Sequence, residues 1–418
     1  MEVLHSCCSG LDVHKKSITA CVLWAEAKGK VRKEKRRFGT FTQDLLRLAD
    51  WLKQSGVTHV AMESTGVYWK PVYNILEGQF EEVLVVNAQH IQAVPGRKTD
   101  QKDSEWIADL LRHGLLRGSF IPPRPTREMR DLTRYRVSMV EEVNRIANRI
   151  QKVLEDANIK LASVATDALG ASGKVMLEAI LAGEQDPEKL AEMSKGLLRN
   201  KIPELKLAME GRVTEHHRFM LRALLEDLRH AESKIAAIEA EVDKRNRPFE
   251  EEVARLCTIP GVSRVTAWGL LAEVGLHMQQ FPSAAHLASW AGLCPGNFES
   301  AGKRRSGRTR KGSHTLRRCL CQAGWAVSRQ RNNYLAALYA RIAARRGAKR
   351  AILAVAHALL VIAYHLLQRK TVYRELGPDH FDRINQRRIT HRLVQRLQRL
   401  GHTVILQPAT PPTGEVFS

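Results

Sequence analysis

The chain has 418 residues, with 66 Lys and Arg against 44 Asp and Glu and a formal net charge of +22. That length allows roughly two or three domains with real cores. So large an excess of one sign implies a polyanionic partner, most simply nucleic acid, rather than solubility alone. The seven cysteines include adjacent Cys7 and Cys8, and Cys319 and Cys321 one residue apart. Neither pair forms half of a zinc CxxC site, and an odd count reads as reduced cytosolic thiols.

Residues 9–24 predict two strands around the polar turn His14–Lys16, and Val31–Phe41 a third with basic residues on its exposed side. A helix is expected from Thr42 to about Ser55, stopping at Gly56. A short apolar strand at Val57–Met62, a helix near Tyr68–Glu77, a strand at Glu82–Val86 and a helix beginning near Asp100 follow. The order βββαβαβα implies α/β architecture, a mixed sheet with helices packed on it, over residues 1–125.

Pro122, Pro123 and Pro125 close this unit. Over 126–247, Leu132, Met139, Val143, Ile146, Ile150 and Val153 recur at helical steps, as do Leu221, Leu225, Leu228, Ile235, Ile238 and Val242. Two long helices joined by a partly ordered middle are expected, as an antiparallel or intermolecular coiled coil or as a plain spacer. Residues 248–376 form a further all-α domain. It opens on LCTIPGVSRVTAWGLLAEVG, which resembles a helix-hairpin-helix whose turn at Pro260–Gly261 could seat a phosphate. Helices are expected at about 314–330, 333–346 and 349–369, then a tail over 377–418 that is loose or docks on a partner. The apolar run Ala351–Leu367 is shorter than the usual ~20-residue span and contains two histidines, so it reads as a buried helix. No signal peptide is legible, and the expected location is the cytoplasm, without a membrane partner.

At about 100° per residue, Asp103 projects along the stripe of Ile107, Leu110 and Leu111, with Asp100 roughly 60° away. The first turn of this helix therefore aims two carboxylates at the sheet. Asp12 lies in the first strand on the face opposite Leu11 and Val13. Glu63 ends an apolar strand, where catalytic groups collect at the carboxyl edge of open sheets. Four uncompensated carboxylates would repel, and divalent cations remove the conflict. All-oxygen ligands suit Mg²⁺ or Mn²⁺, and two such ions can assist phosphoryl transfer.

GLDVHK, AMESTGVYW and GRKTDQKD resemble the Asp, Glu, Asp, Asp quartet of the DEDD transposases. The chain as a whole is similar to insertion-sequence recombinases of the IS110 type, the bridge-RNA-guided recombinases. That resemblance implies a RuvC-like domain of ribonuclease-H fold, with Asp12, Glu63, Asp100 and Asp103 as Mg²⁺ ligands. Arg97 and Lys98, beside the last pair of aspartates, are expected to contact nucleic acid.

The second informative stretch is GLCPGNFESAGKRRSGRTRKGSHTLRR. Lys303, Arg304, Arg305, Arg308, Arg310 and Lys311, interspersed with glycines, can track a phosphate backbone. The family carries a second domain with a nucleophilic serine in a Ser-Gly element of this loop. Here the element reads Ser300-Ala301-Gly302, with an alanine inserted. Ser300 keeps the family's distance from GLCPG, and Ser306, followed by Gly307, is the second candidate. The resemblance implies a transposase that cuts and rejoins donor and target double-stranded DNA through a phosphoserine link. A structured noncoding RNA would guide it, and the working form would be a homodimer or tetramer, associated with a bacterial nucleoid. Lys33, Lys35, Arg36 and Arg37 would suit the RNA. A junction-resolvase-like endonuclease, needing the quartet but no serine, is the alternative reading.

Overall fold

The computed structural model describes residues 2–25, 30–64, 66–87, 103–294, 309 and 312–407, and the backbone of 298–300 and 303–306. These residues form two compact units, 1–123 and 124–418.

The first unit runs β1 (Cys7–Val13), β2 (Ile18–Ala25), β3 (Val31–Phe38), α1 (Thr42–Gln54), β4 (His59–Glu63), α2 (Trp69–Leu76), β5 (Glu82–Val86) and α3 (Asp103–Arg112). The strands make one mixed sheet in the order β3-β2-β1-β4-β5. β1 pairs antiparallel with β2 and parallel with β4, so it lies at the centre. The third strand ends at Phe38, short of the expected Phe41, because Phe38 is already opposite Ile18, the first residue of its partner. Period-2 alternation divides the side chains between two faces. Leu11, Val13, Val60 and Met62 pack with Leu48, Leu52 and Leu76 of α1 and α2. Cys8, Cys21, Ala61 and Val86 pack with Ile107, Leu110 and Leu111 of α3 on the other face.

In the second unit, α4 (Arg124–Asp156) is followed by α5 (Leu161–Val164), α6 (Ala171–Leu181), α7 (Pro187–Glu192) and α8 (Ile202–Met209). Then come α9 (Glu215–Asn246), α10 (Glu250–Cys257), α11 (Arg264–Val274), α12 (Ala284–Trp290), and the two-stranded hairpin β6 (Phe298–Ser300) and β7 (Lys303–Ser306). The chain ends with α13 (His314–Ser328), α14 (Tyr334–Arg346), α15 (Ala348–Arg369), α16 (His380–Ile384) and α17 (Gln386–Arg399).

The long helices α4 and α9 run antiparallel within the chain. Glu128 pairs with Arg245 at 3.0 Å, Arg136 with Glu239 at 2.6 Å and Asp156 with His217 at 2.8 Å, so rising numbers on one meet falling numbers on the other. The segment between them is not the partly ordered middle expected from sequence. Leu161, Met176, Leu177, Ile180, Leu190 and Leu205 are fully buried in one core with the facing ends of both long helices. Its helices of four to eleven residues are too short to display a readable period.

Helices α10 and α11 meet at a turn where Gly261 has φ +81, and a Cβ there would collide with the Ala323 carbonyl and Val327 of α13. The Ser263 hydroxyl accepts from the Thr266 N–H, and Arg264 is held by Asp243 and Glu250. Among the described residues, α15 is long and apolar enough to cross a membrane. Here it is the central core helix of its unit, burying Ala351, Ile352, Val355, Leu359 and Leu360 among the surrounding helices. The segment after Leu376 includes α16, whose Phe381 ring stacks on Tyr334 at 5.2 Å.

Burial pushes the Cys8 thiol up to about 12 and that of Cys21 up to about 11, whereas Cys257 is exposed. Iodoacetamide applied to the native protein at pH 8 should therefore label Cys257 more than about tenfold faster than Cys8 or Cys21. Equal rates, read by peptide mass spectrometry, would mean that β1 and β2 open readily and that this core is misassigned.

Candidate active site

The carboxylates of the first unit are set by how closely α3 approaches β1. Gly10 makes that approach possible, because a Cβ there would collide with the Ser104 carbonyl oxygen and the Ala108 nitrogen. Two positions back on the same face, the Cys8 thiol donates to the Ala108 carbonyl at 3.4 Å. Ile107, Leu110 and Leu111 fasten the helix, each buried to within 2 % and contributing about 1.5–3 kcal/mol. Asp103 opens this helix, next to the Ser104 that lies over Gly10.

Asp12 is two residues beyond Gly10 and shares its face of the strand. The parallel β1–β4 register pairs Leu11 with Met62, so one further step sets Asp12 alongside Glu63. Glu63 shares the face of Ala61, which packs in the α3 core. Asp12, Glu63 and Asp103 thus belong to one face and one end of the sheet. Asp100, with Arg97 and Lys98, lies outside the described residues.

The donor set is all oxygen, which fits a hard divalent cation in chemistry. Among the described residues, no three His, Cys, Asp or Glu side chains already stand close enough to hold one. The Asp12 carboxylate instead accepts from His14 Nε2 at 3.1 Å. Glu105, the next carboxylate on this helix, is structural. Lys35 and Lys33 of β3 reach Glu105 at 2.7 and 2.9 Å and hold its carboxyl down to about 2. The other two β3 cations expected to suit an RNA are also engaged, Arg36 with Glu34 and Arg37 as a donor to the Ser17 hydroxyl.

In the second unit, Ser300 ends β6 and pairs with Lys303, while Ser306 ends β7 and pairs with Phe298. Both candidate serines, with Lys303, Arg304 and Arg305, therefore share a β-hairpin where the sequence suggested an open loop. Arg308, Arg310 and Lys311 lie outside the described residues. The segment returns to the body at Gly312, where a Cβ would collide with the backbone of Ala291 and Gly292. Arg317 donates to the Thr309 hydroxyl at 2.9 Å and to the Gly292 carbonyl at 3.5 Å, which closes the base of the segment.

A buried carboxylate that sequence reasoning missed supports this base. Glu273 is 1 % exposed and accepts two bonds from Arg134, at 2.7 and 3.0 Å. Its Oε2 also accepts from the Ser313 hydroxyl at 3.1 Å, and that hydroxyl caps the first turn of α13. Arg130 completes the cluster by donating to the carbonyls of Ala272 and Glu273. The available signal was a lone acid in the otherwise apolar run AWGLLAEV. Removing one partner of a buried pair costs about 3–5 kcal/mol. Glu273→Ala should lower the unfolding free energy by that amount in a urea titration. A loss below about 1 kcal/mol would show that the cluster does not hold the base.

Comparison with known proteins bears on both units. Residues 9–159 match a family model described as transposase, of the DEDD IS110 type, and the match spans Asp12, Glu63, Asp100 and Asp103. Residues 253–340 match a model described as transposase of the IS116/IS110/IS902 family, and that match spans Ser300 and the basic segment. The chain is also 25% identical over 328 residues to the transposase for insertion sequence element IS1111A of Coxiella burnetii (strain RSA 493 / Nine Mile phase I). That alignment covers 75% of this chain and 79% of the relative.

Proposed function

The chain belongs to the IS110-type transposases and is a DNA-transposing enzyme, and from that premise we propose that it works through an acidic metal site and a serine nucleophile. Asp12, Glu63, Asp100 and Asp103 would hold Mg²⁺ or Mn²⁺, and Ser300 would attack the DNA. The observation that carries this reading is the packing of α3 across Gly10, which gathers Asp12, Glu63 and Asp103 on one face.

When bound, the divalent ion would polarise the scissile phosphate and lower the barrier to displacement. Asp12 would exchange its bond to His14 for a place among the ligands. The Ser300 hydroxyl would lose its proton and form a bond to phosphorus as the bond to the departing sugar oxygen breaks, and that oxygen would take up a proton. The phosphoserine link keeps the energy of the broken bond, so a hydroxyl from another strand can displace the serine without external energy. Lys303, Arg304, Arg305, Arg308, Arg310 and Lys311 would follow the backbone on either side. In the same reading, the turn at Pro260–Gly261 is helix-hairpin-helix-like and seats a phosphate. The α4–α9 pair serves as a dimerisation arm for a homodimer or tetramer. A structured noncoding RNA guides the choice of donor and target DNA at the bacterial nucleoid.

The test is a denaturing gel of labelled DNA after reaction with the wild type and three variants. A protein–DNA adduct is expected with wild type and Ser306→Ala, and none with Ser300→Ala. Asp12→Ala should lose cleavage by more than about a hundredfold while still binding DNA. An adduct that survives Ser300→Ala and disappears with Ser306→Ala would move the nucleophile to the other strand of the hairpin. Efficient cleavage with no adduct at any time point would favour a metal nuclease without a covalent intermediate.

A further inference from the structure

The β6–β7 hairpin carries both candidate serines on strands of three and four residues. A two-stranded hairpin is marginally stable by itself, so its direction depends on how its base is tied to the body. Two stretches of chain form that base. One leaves α12 through Ala291 and Gly292, and the other returns through Thr309 and Gly312 to the first turn of α13.

One side chain spans both stretches. Arg317 Nη1 donates to the Thr309 hydroxyl at 2.9 Å on the returning side and to the Gly292 carbonyl at 3.5 Å on the departing side. Arg134, Arg136, Arg264 and Arg318 of the same unit are each held by a carboxylate, whereas Arg317 grips a hydroxyl and a carbonyl. The helix beneath Arg317 is itself fixed. Ser313, four residues earlier, is bonded to the buried Glu273 at 3.1 Å, and Gly312 fits directly against the backbone of Ala291 and Gly292. The grip of Arg317 therefore starts on an anchored helix turn and ends on the two legs of the hairpin.

We propose that Arg317 and Thr309 form a latch that sets the direction of the serine-bearing hairpin, which makes both of them positioning residues for the nucleophile. The proposal rests on the assignment of the nucleophile to this hairpin, and it holds for either serine. A charge-assisted bond to a hydroxyl is stronger than one between neutral groups, so one such contact can hold a short leg in place. Attack on phosphorus is sensitive to that placement, since a displacement of about 1 Å can cost about a hundredfold in rate. The latch thus governs how fast the serine attacks without touching the reacting atoms.

The experiment uses the full chain and compares Thr309→Val, which removes the hydroxyl and leaves every charge in place, with Thr309→Ser, which keeps it. Three quantities are measured: the rate of protein–DNA adduct formation at saturating labelled DNA, the DNA affinity, and hydrogen exchange of the β6–β7 amides without DNA. In Thr309→Val the adduct rate should fall more than about tenfold, while affinity stays within about twofold of wild type because no phosphate contact is lost. Exchange of the β6–β7 amides should quicken by more than about fivefold in the same variant. Thr309→Ser should keep all three within about twofold of wild type. Arg317→Gln opens both bonds, so adding Thr309→Val to it should slow the adduct by less than about twofold more. The proposal is overturned by an unchanged adduct rate or unchanged exchange in Thr309→Val, by a loss that Thr309→Ser shares, or by effects of Arg317→Gln and Thr309→Val that multiply. Wild type that cleaves with no adduct at all gives a different result, removing the serine nucleophile itself and the latch with it.

Discussion

The first unit depends on one close contact, the passage of α3 over the backbone of β1 at Gly10. A side chain at that position would lift the helix. The helix end carrying Asp103 would then move away from the strand end carrying Asp12. The apolar grip of Ile107, Leu110 and Leu111 holds the helix down, and the absence of a Cβ beneath it lets that grip close fully. Glu63 joins through the strand register, because β4 runs parallel to β1 and its last residue falls next to Asp12. Packing, register and one missing methyl group together decide which carboxylates become neighbours. Lys33 and Lys35 reinforce the same placement from the neighbouring edge strand, on the same face of the sheet, by tying Glu105 of α3 to β3.

The second unit manages charge in two ways. Along α4, α9 and α11, arginines are matched by acids, so these helices present little net field. Between Glu299 and Glu375 acids vanish from the sequence, and Arg318 in that stretch takes its carboxylate from Glu141 of α4. Glu273 is used where a carboxylate in the interior does the most, clamping Arg134 and the Ser313 cap at the base of the serine-bearing segment. The remaining cations are left for solvent or a polyanion. This division suits an enzyme whose substrate supplies the missing negative charge.

Much of the first unit was legible because its signals are local. Strand alternation, the stop at Gly56 and the stripe of Asp103 with Ile107 and Leu111 each lie within about ten residues. The faces of Asp12 and Asp103 could be assigned from that periodicity. Gly10 could not be singled out, because the reason for it lies across the sheet, almost a hundred residues away in sequence. The same holds for Glu273, whose partners Arg134 and Ser313 are distant in sequence on either side. The helical middle was misjudged because its helices are short and bury their apolar residues against α4 and α9, so no single segment shows a full amphipathic period. The β6–β7 hairpin was read as a loop because Lys, Arg and Ser dominate β7 and give no apolar alternation.

If the contact at Gly10 brings Asp103 to Asp12 and Glu63 and the three take a divalent ion, that binding depends on the missing Cβ at Gly10. Manganese binding to wild type and to Gly10→Ala, followed by calorimetric titration at equal folded fraction, tests it directly. Mn²⁺ affinity should fall by more than about tenfold in Gly10→Ala, because overpacking by one methyl displaces α3. Wild-type affinity in that variant, or no saturable Mn²⁺ binding by the wild type, would contradict it.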